Sequence, residues 1–367
     1  MEDSARVKRY HRTGRILSVA GFLVDLALLL ALLLTGWTIT LRTFALHCST
    51  RPWVAVLVYL GIFGIINELA GLPLDFLGGF WLEHRYGLSN LTFAGWVKDH
   101  LKGLALGGTL AALGVEFLYA AIRYWPQRWW ILCAVGFIGF FILLAHLAPV
   151  LIFPIFFKFK PLENPGLTER LLELSRRAGT RVRGVFEWKL SEKSKKANAA
   201  LMGLGNTRRI ILSDTLLAQF QDEEVEAVLA HEFGHHVHHH MLQGIAAQSA
   251  ATFLGFYLIY RTLGWLGPRF GFQGAADFAN LPLLALVSTA LSLVLLPAVN
   301  AYSRALERQA DAYALGAIPS RSAFISSMEK LAELNLAESR PHPWIEFIFH
   351  SHPSIEKRIA SAQKLPA

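Results

Sequence analysis

Six apolar stretches, each long enough to cross a bilayer, leave few folds open to this chain. They run roughly Ile16–Leu41, Trp53–Leu77, Leu101–Ile122, Trp129–Phe157, Leu242–Tyr260 and Leu281–Ala298. A spanning helix needs about 20 apolar residues, and six such segments cannot all be hidden inside a soluble chain of 367 residues. Composition agrees: 53% of residues are hydrophobic and 17% are charged, against roughly 25% charged in an ordinary soluble domain. A disordered chain is excluded on the same ground. The two cysteines, Cys48 and Cys133, rule out a disulfide scaffold and a cysteine-built zinc cluster.

The formal net charge is +8. The cations sit at the ends of the apolar runs and form no aromatic-interleaved stripe, which argues for membrane topology and against a nucleic-acid partner. Arg6, Lys8, Arg9, Arg12 and Arg15 precede the first run. That run is too long for a removable signal peptide and lacks a small-residue cleavage site. The positive-inside rule then puts the N-terminus in the cytoplasm, at the plasma membrane if the chain is bacterial. Counting spans puts the Glu83–Lys102 loop, the Lys158–Met241 segment and the tail after Ala298 on the same side. The short external loops carry Arg42 and Arg51, Arg123 and Arg128, and Arg261 and Arg269. Asp25, Glu68, Glu116 and His146 lie within spans. Such groups either face a hydrated interior or pair locally near a span end.

Four regions follow: residues 1–157 with four spans, an insertion at 158–241, two further spans at 242–299, and a C-terminal region at 300–367. Within the insertion, Leu167–Arg177 has helical spacing. Ala199–Met202 and Arg209–Leu212 read as a hairpin around Gly203, Gly205 and Asn206. Asp222, Glu223, Glu224 and Glu226 form the acidic first turn of a further helix.

That helix carries His231-Glu232-Phe233-Gly234-His235. Two imidazoles four residues apart share one helix face and can bind one zinc ion. Glu232 is placed to take a proton from a water that the metal activates. A third protein ligand is required. One known continuation needs a Gly and a His three and six residues on, where this chain has His238 and Met241, and the inverted H-x-x-E-H pattern is absent too. A Glu on a later helix remains, and Glu307 fits, with Asp311 one turn on to orient a ligand histidine from behind. Two spans separate His235 from Glu307, so both lie on one side of the membrane. His236, His238, His239 and His240 read best as a polar tail at the membrane boundary, although His238 shares roughly the face of His231.

These residues resemble the integral-membrane zinc metallopeptidases that include CAAX prenyl protease 1, with the heat-shock membrane proteases of bacteria as more distant relatives. The likeness extends to Glu83-His-Arg-Tyr-Gly-Leu, Ala148-Pro-Val-Leu-Ile-Phe-Pro-Ile-Phe-Phe-Lys-Phe, Arg209-Ile-Ile-Leu-Ser-Asp214-Thr-Leu-Leu, Asn300 through Asp311 and Ser351-His352-Pro353-Ser354. It implies one zinc ion per chain held by His231, His235 and Glu307, with Glu232 as base and an intramembrane chamber lined by the spans. It also implies substrate contacts from Asn198, His352 and Arg358. By its Pro-marked position alone, His352 reads equally as a helix cap. Six spans stand where eukaryotic members are usually read with seven, and Lys193–Ala197 replaces a Ser- and His-rich run.

The expected fold is therefore mostly α: a polytopic membrane helix bundle enclosing a cavity, with a small α+β, zincin-like cytoplasmic catalytic insertion. The expected activity is a zinc metalloendopeptidase acting on a peptide or protein substrate, prenylated or plain, laid as an added strand along Ala199–Met202. A broad quality-control protease would share every catalytic residue. A channel or transporter would instead use the metal structurally, which normally takes four protein ligands.

Overall fold

The structure, a computed structural model, describes residues 2–203 and 207–364. Its membrane half opens with α1 (Glu2–Leu34), α2 (Trp37–Cys48), α3 (Pro52–Phe76), α4 (Leu82–Arg85), α5 (Phe93–Tyr124), α6 (Trp129–Leu147) and α7 (Phe153–Phe156). Single π-helical stretches, Leu77–Trp81 and Ala148–Ile152, splice α3 to α4 and α6 to α7. Next come β1 (Phe159–Pro161), α8 (Pro165–Arg177), β2 (Val185–Trp188), β3 (Ala199–Met202), β4 (Arg209–Ser213), α9 (Asp214–Leu217) and α10 (Asp222–Val237). The chain returns through α11 (His240–Leu266) and α12 (Leu281–Ala317), and ends with α13 (Arg321–Leu334), α14 (Pro343–Phe349) and α15 (Ile355–Lys364).

Among the described residues, six helical runs are long and apolar enough to cross a membrane. Several are longer than the expected spans, and at two the difference bears on the fold. The first apolar run does not continue to Leu41: Thr35 Oγ1 donates to the Ala31 carbonyl, Gly36 turns left-handed at φ 74°, and α2 starts afresh. Twelve helical residues reach only about 18 Å, too short to span. Arg42 on α2 is buried and pairs with Asp277, so it anchors the fold and is not a loop cation. The last span does not stop at Ala298. α12 is one helix of 37 residues carrying Asn300, Glu307 and Asp311 on its continuation.

Buried apolar residues form two separate cores. One joins the end of α1, the start of α3, the end of α5, the start of α6, the end of α11 and the start of α12 through Leu33, Tyr59, Tyr119, Trp129, Ile259 and Leu283. The other joins the sheet to α8, α10, α12, α13 and α15 through Leu171, Ile210, Leu229, Phe233, Ala314 and Phe324. Between them the spans bury little: 6–22% of the most apolar window of each. A helix packed along one face buries a stripe about 100° wide, roughly 28% of its circumference, so the middle of the bundle is loosely filled.

Interior polar groups behave individually. Glu68 on α3 accepts from His100 on α5 at 2.5 Å, a local pair. Glu116 Oε1 is buried without a hydrogen-bond partner. The N-terminal cations also make contacts: Arg6 donates to the Tyr86 carbonyl and Arg15 to Glu338, while Tyr10 donates to Glu83.

The sheet order is β1-β2-β4-β3, with β2 and β4 parallel and the other pairs antiparallel. The expected pairing of Ala199–Met202 with the Arg209 strand is present, in register Ala199↔Leu212 to Met202↔Arg209. Gly203 leaves β3 at φ 94°, and a Cβ there would lie 2.6 Å from the Thr207 carbonyl oxygen. Gly205 and Asn206 lie outside the described residues. β3 is an edge strand.

Candidate metal centre

The start of α10 is fixed by a reciprocal capping box between Gln221 and Glu224. The Glu224 carboxylate also accepts from Lys330 at 2.6 Å and Ser326 at 2.5 Å, tying α10 to α13. Val225, Val228, Leu229 and Phe233 bury one face of the helix in the second core. The remaining face presents His231, Glu232 and His235. α12 crosses α10 backbone to backbone at Gly234, where a Cβ would lie 2.8 Å from Ala310 Cα and 2.9 Å from its carbonyl oxygen. Only glycine permits this approach, and the approach brings Glu307 to the histidines.

His231 Nε2 and His235 Nε2 lie 3.2 Å apart. Glu307 places Oε2 3.3 Å from His231 Nε2 and Oε1 3.3 Å from His235 Nε2. Bonds of about 2.0–2.1 Å to a tetrahedral zinc ion would set neighbouring ligand atoms about 3.3 Å apart. The two imidazole nitrogens stand close to that separation, each with a different oxygen of the Glu307 carboxylate 3.3 Å away, and the three side chains can offer one ligand atom each within 4.8 Å of one another. Among the described residues Glu307 Oε2 is buried with no hydrogen-bond partner of good geometry, although His352 Nδ1 comes within 2.8 Å and His231 Nε2 within 3.3 Å. A buried acceptor left in this state has a large desolvation cost to recover, and a cation is the group that would recover it. Two imidazoles favour zinc-like ions over calcium or magnesium.

The outer nitrogens of both histidines are engaged. His231 Nδ1 lies 2.8 Å from Asp311 Oδ1, as the spacing on α12 predicts. His235 Nδ1 lies 2.9 Å from His240 Nδ1. Burial opposes charge on His231, but hydrogen bonds to Asp311 and Glu307 override it and lift its pKa to about 9. Burial pushes the Glu232 carboxyl above its usual range, against the pull of His231 and His235. Glu232 is thereby moved toward the range where a carboxylate serves as base.

Of the other expected site residues, Asn198 stands exposed at the head of β3. Its backbone is pinned by Ser213, whose N donates to the Asn198 carbonyl and whose Oγ accepts from Asn198 N, both at 2.9 Å. His352 turns toward Glu307 and lies ahead of the first residue of α15, so it is not that helix's cap. Arg358 is more deeply placed than a substrate donor needs to be: its Nε and Nη2 grip both Asp311 oxygens at 2.9 and 2.6 Å, with 10% of its side chain exposed. The polar-tail reading of the histidine cluster does not hold for His240, which is 5% exposed and touches His235. Helical counting missed it because His239 adopts φ 55°, breaking α10 from α11 and turning His240 back.

A membrane bundle whose long helices carry a His-His-Glu group beside a glutamate defines a membrane metallopeptidase. Comparison with known proteins supplies the family. Residues 161–365 match peptidase family M48, and residues 1–158 match the CAAX prenyl protease N-terminal region described as five membrane helices. The chain belongs to peptidase family M48. It is 30% identical over 366 residues to an uncharacterized metalloprotease, YhfN, of Bacillus subtilis, covering 99% of this chain and 86% of that one. It is 29% identical to CAAX prenyl protease 1 of Saccharomyces cerevisiae, covering 83% of this chain and 71% of the yeast protein. The crystal structure of S. mikatae Ste24p superposes with a TM-score of 0.89 at 26% identity, covering 98% of this chain and 89% of that one. The protein is a multi-pass membrane metalloendopeptidase, and its family implies a metal cofactor. Where the family description has five membrane helices, this chain has four long ones and the short α2.

Proposed function

We propose that the chain is a zinc metalloendopeptidase that holds one zinc ion with His231, His235 and Glu307 and uses Glu232 as general base. The observation that carries this is the His231, His235 and Glu307 group, which offers one ligand atom from each side chain within 4.8 Å of one another. Zinc, when bound there, lowers the pKa of water toward about 7 and polarises a scissile carbonyl. Glu232 takes the proton from the attacking water and delivers it to the leaving amine. A peptide added to the free edge of β3 would present its backbone to the site, with main-chain bonds giving sequence tolerance. Asn198 and His352 then donate to its carbonyls, and Arg358 contributes by fixing Asp311. The second core joins residues of 158–241 to the region after residue 300, which supports these two segments working as one catalytic unit. The cations before the first span, with the count of spans, support a cytoplasmic side for this unit.

For substrate, we propose a prenylated C-terminal peptide, by likeness to the yeast relative named CAAX prenyl protease 1. A structural metal site in a channel is disfavoured, since the metal-ligand group found among the described residues has three members and not the usual four. Glu232→Gln should abolish cleavage in a quenched-peptide assay while zinc content stays stoichiometric. Loss of the metal in that variant would show that Glu232 has been given the wrong role. Prenylated peptide should be cut well ahead of its plain counterpart, and equal rates would favour a quality-control protease.

A further inference from the structure

Behind His235 lies a pair of side chains that the proposed chemistry leaves unused. His240 Nδ1 stands 2.9 Å from His235 Nδ1, and His240 Nε2 stands 3.0 Å from Gln309 Oε1. His240 is 5% exposed, so these contacts are its polar environment. It arrives there through His239, a non-glycine residue in the left-handed region at φ 55°. Such a conformation costs free energy and persists where the surroundings demand it.

The donor pattern has one consistent solution with a metal in place. An amide oxygen only accepts, so His240 Nε2 must carry the hydrogen. In a neutral ring Nδ1 then accepts, and His235 Nδ1 donates to it. That leaves the lone pair of His235 on Nε2, the atom 3.3 Å from Glu307 Oε1 and 3.2 Å from His231 Nε2. With the Gln309 amide turned over, every hydrogen in the chain would reverse, and His235 Nε2 would carry a proton where a metal needs a lone pair.

We propose that His240, oriented by Gln309, is a positioning residue that fixes the tautomer and ring plane of His235, as Asp311 does for His231. The inference rests on the zinc reading above. α12 then supplies the third ligand together with an outer support for each histidine: Glu307, Gln309 and Asp311.

The test is zinc affinity of the purified full-length protein, by competition with a chromophoric chelator, alongside the visible spectrum of the cobalt-substituted form. His240→Leu should weaken zinc binding about 10–100-fold, the usual cost of losing an outer-shell partner, and should shift the cobalt bands. His240→Gln should restore most of the affinity, because its amide can accept from His235 and donate to Gln309. An unchanged dissociation constant in His240→Leu, or no rescue by His240→Gln, would overturn the proposal. Should His240→Leu fail to fold, Gln309→Leu carries the test. A several-fold loss with the same cobalt shift supports the proposal, and wild-type affinity with an unshifted spectrum overturns it. Failure of the wild type to bind stoichiometric zinc, or retention of zinc by His231→Ala, would remove the metal reading itself and this inference with it.

Discussion

Gly234→Ala should separate the two helices that make the metal site, and its size can be worked from the crossing. The new Cβ would meet Ala310 Cα at 2.8 Å, the Ala310 oxygen at 2.9 Å and Tyr313 Cβ at 3.2 Å. Relaxed carbon contacts lie at about 3.5–4.0 Å, so α10 and α12 must part by about 0.7 Å or more. Metal sites tolerate ligand displacements of about 0.2 Å, several times less. The apo protein can relieve the clash by opening. Binding zinc would close it again at the usual overpacking cost of about 1–3 kcal/mol, which is about 5- to 150-fold in dissociation constant. Chelator competition measures this directly, with peptidase activity read at saturating zinc. Gly316→Ala on α12 is the control, since among the described residues nothing lies within 4 Å of a Cβ there. Wild-type zinc affinity in Gly234→Ala would refute the claim that this crossing sets the distance to Glu307.

Two further outcomes concern stability. Arg42→Met strands Asp277, whose side chain is 1% exposed, and breaking such a buried pair costs about 3–5 kcal/mol. Thermal unfolding in detergent should show a drop of several degrees, and an unchanged midpoint would mean that the pair contributes nothing. The Glu224 carboxyl has a lowered pKa: burial opposes the shift, and hydrogen bonds from Lys330, Ser326 and the Gln221 backbone produce it. Its stabilisation is therefore present above the ordinary value of 4.5 and is lost as pH falls through the lowered folded value. Glu224→Gln should flatten the acid side of the stability profile, and an unaltered acid slope would assign that slope to other groups.

The membrane helices and the grouping of His231, His235 and Glu307 were legible because each rests on a periodicity within one continuous helix. His231 and His235 share a face of α10, and Glu307 and Asp311 share a face of α12. The boundaries were less legible. The apolar run to Leu41 prolongs the first span only while Gly36 is counted as helical, and a single left-handed residue ends that helix. β1 and β2, with three and four residues, are too short for an alternating pattern to stand out. Contacts made from behind the site were not legible. The distance in sequence between Arg358 and Asp311 hides their bidentate pair. His240 was taken for a solvated tail because the turn at His239 is a backbone event that no spacing rule encodes.

α12 joins the far core to the chemistry as one rod. Leu283 and Leu284 are anchored in that core, and Glu307 projects near the opposite end. The rod between them is about 36 Å long, so a tilt of one degree about the anchor corresponds to about 0.6 Å at the carboxylate. Helices answer hydrophobic mismatch by tilting. Pro297, lodged within α12, removes a backbone hydrogen bond and supplies a point of flexure on the way. The crossing at Gly234 holds the Glu307 end of α12 against α10, so the flexure at Pro297 is what lets the membrane end of the rod follow the bilayer while the carboxylate keeps its place beside the imidazoles.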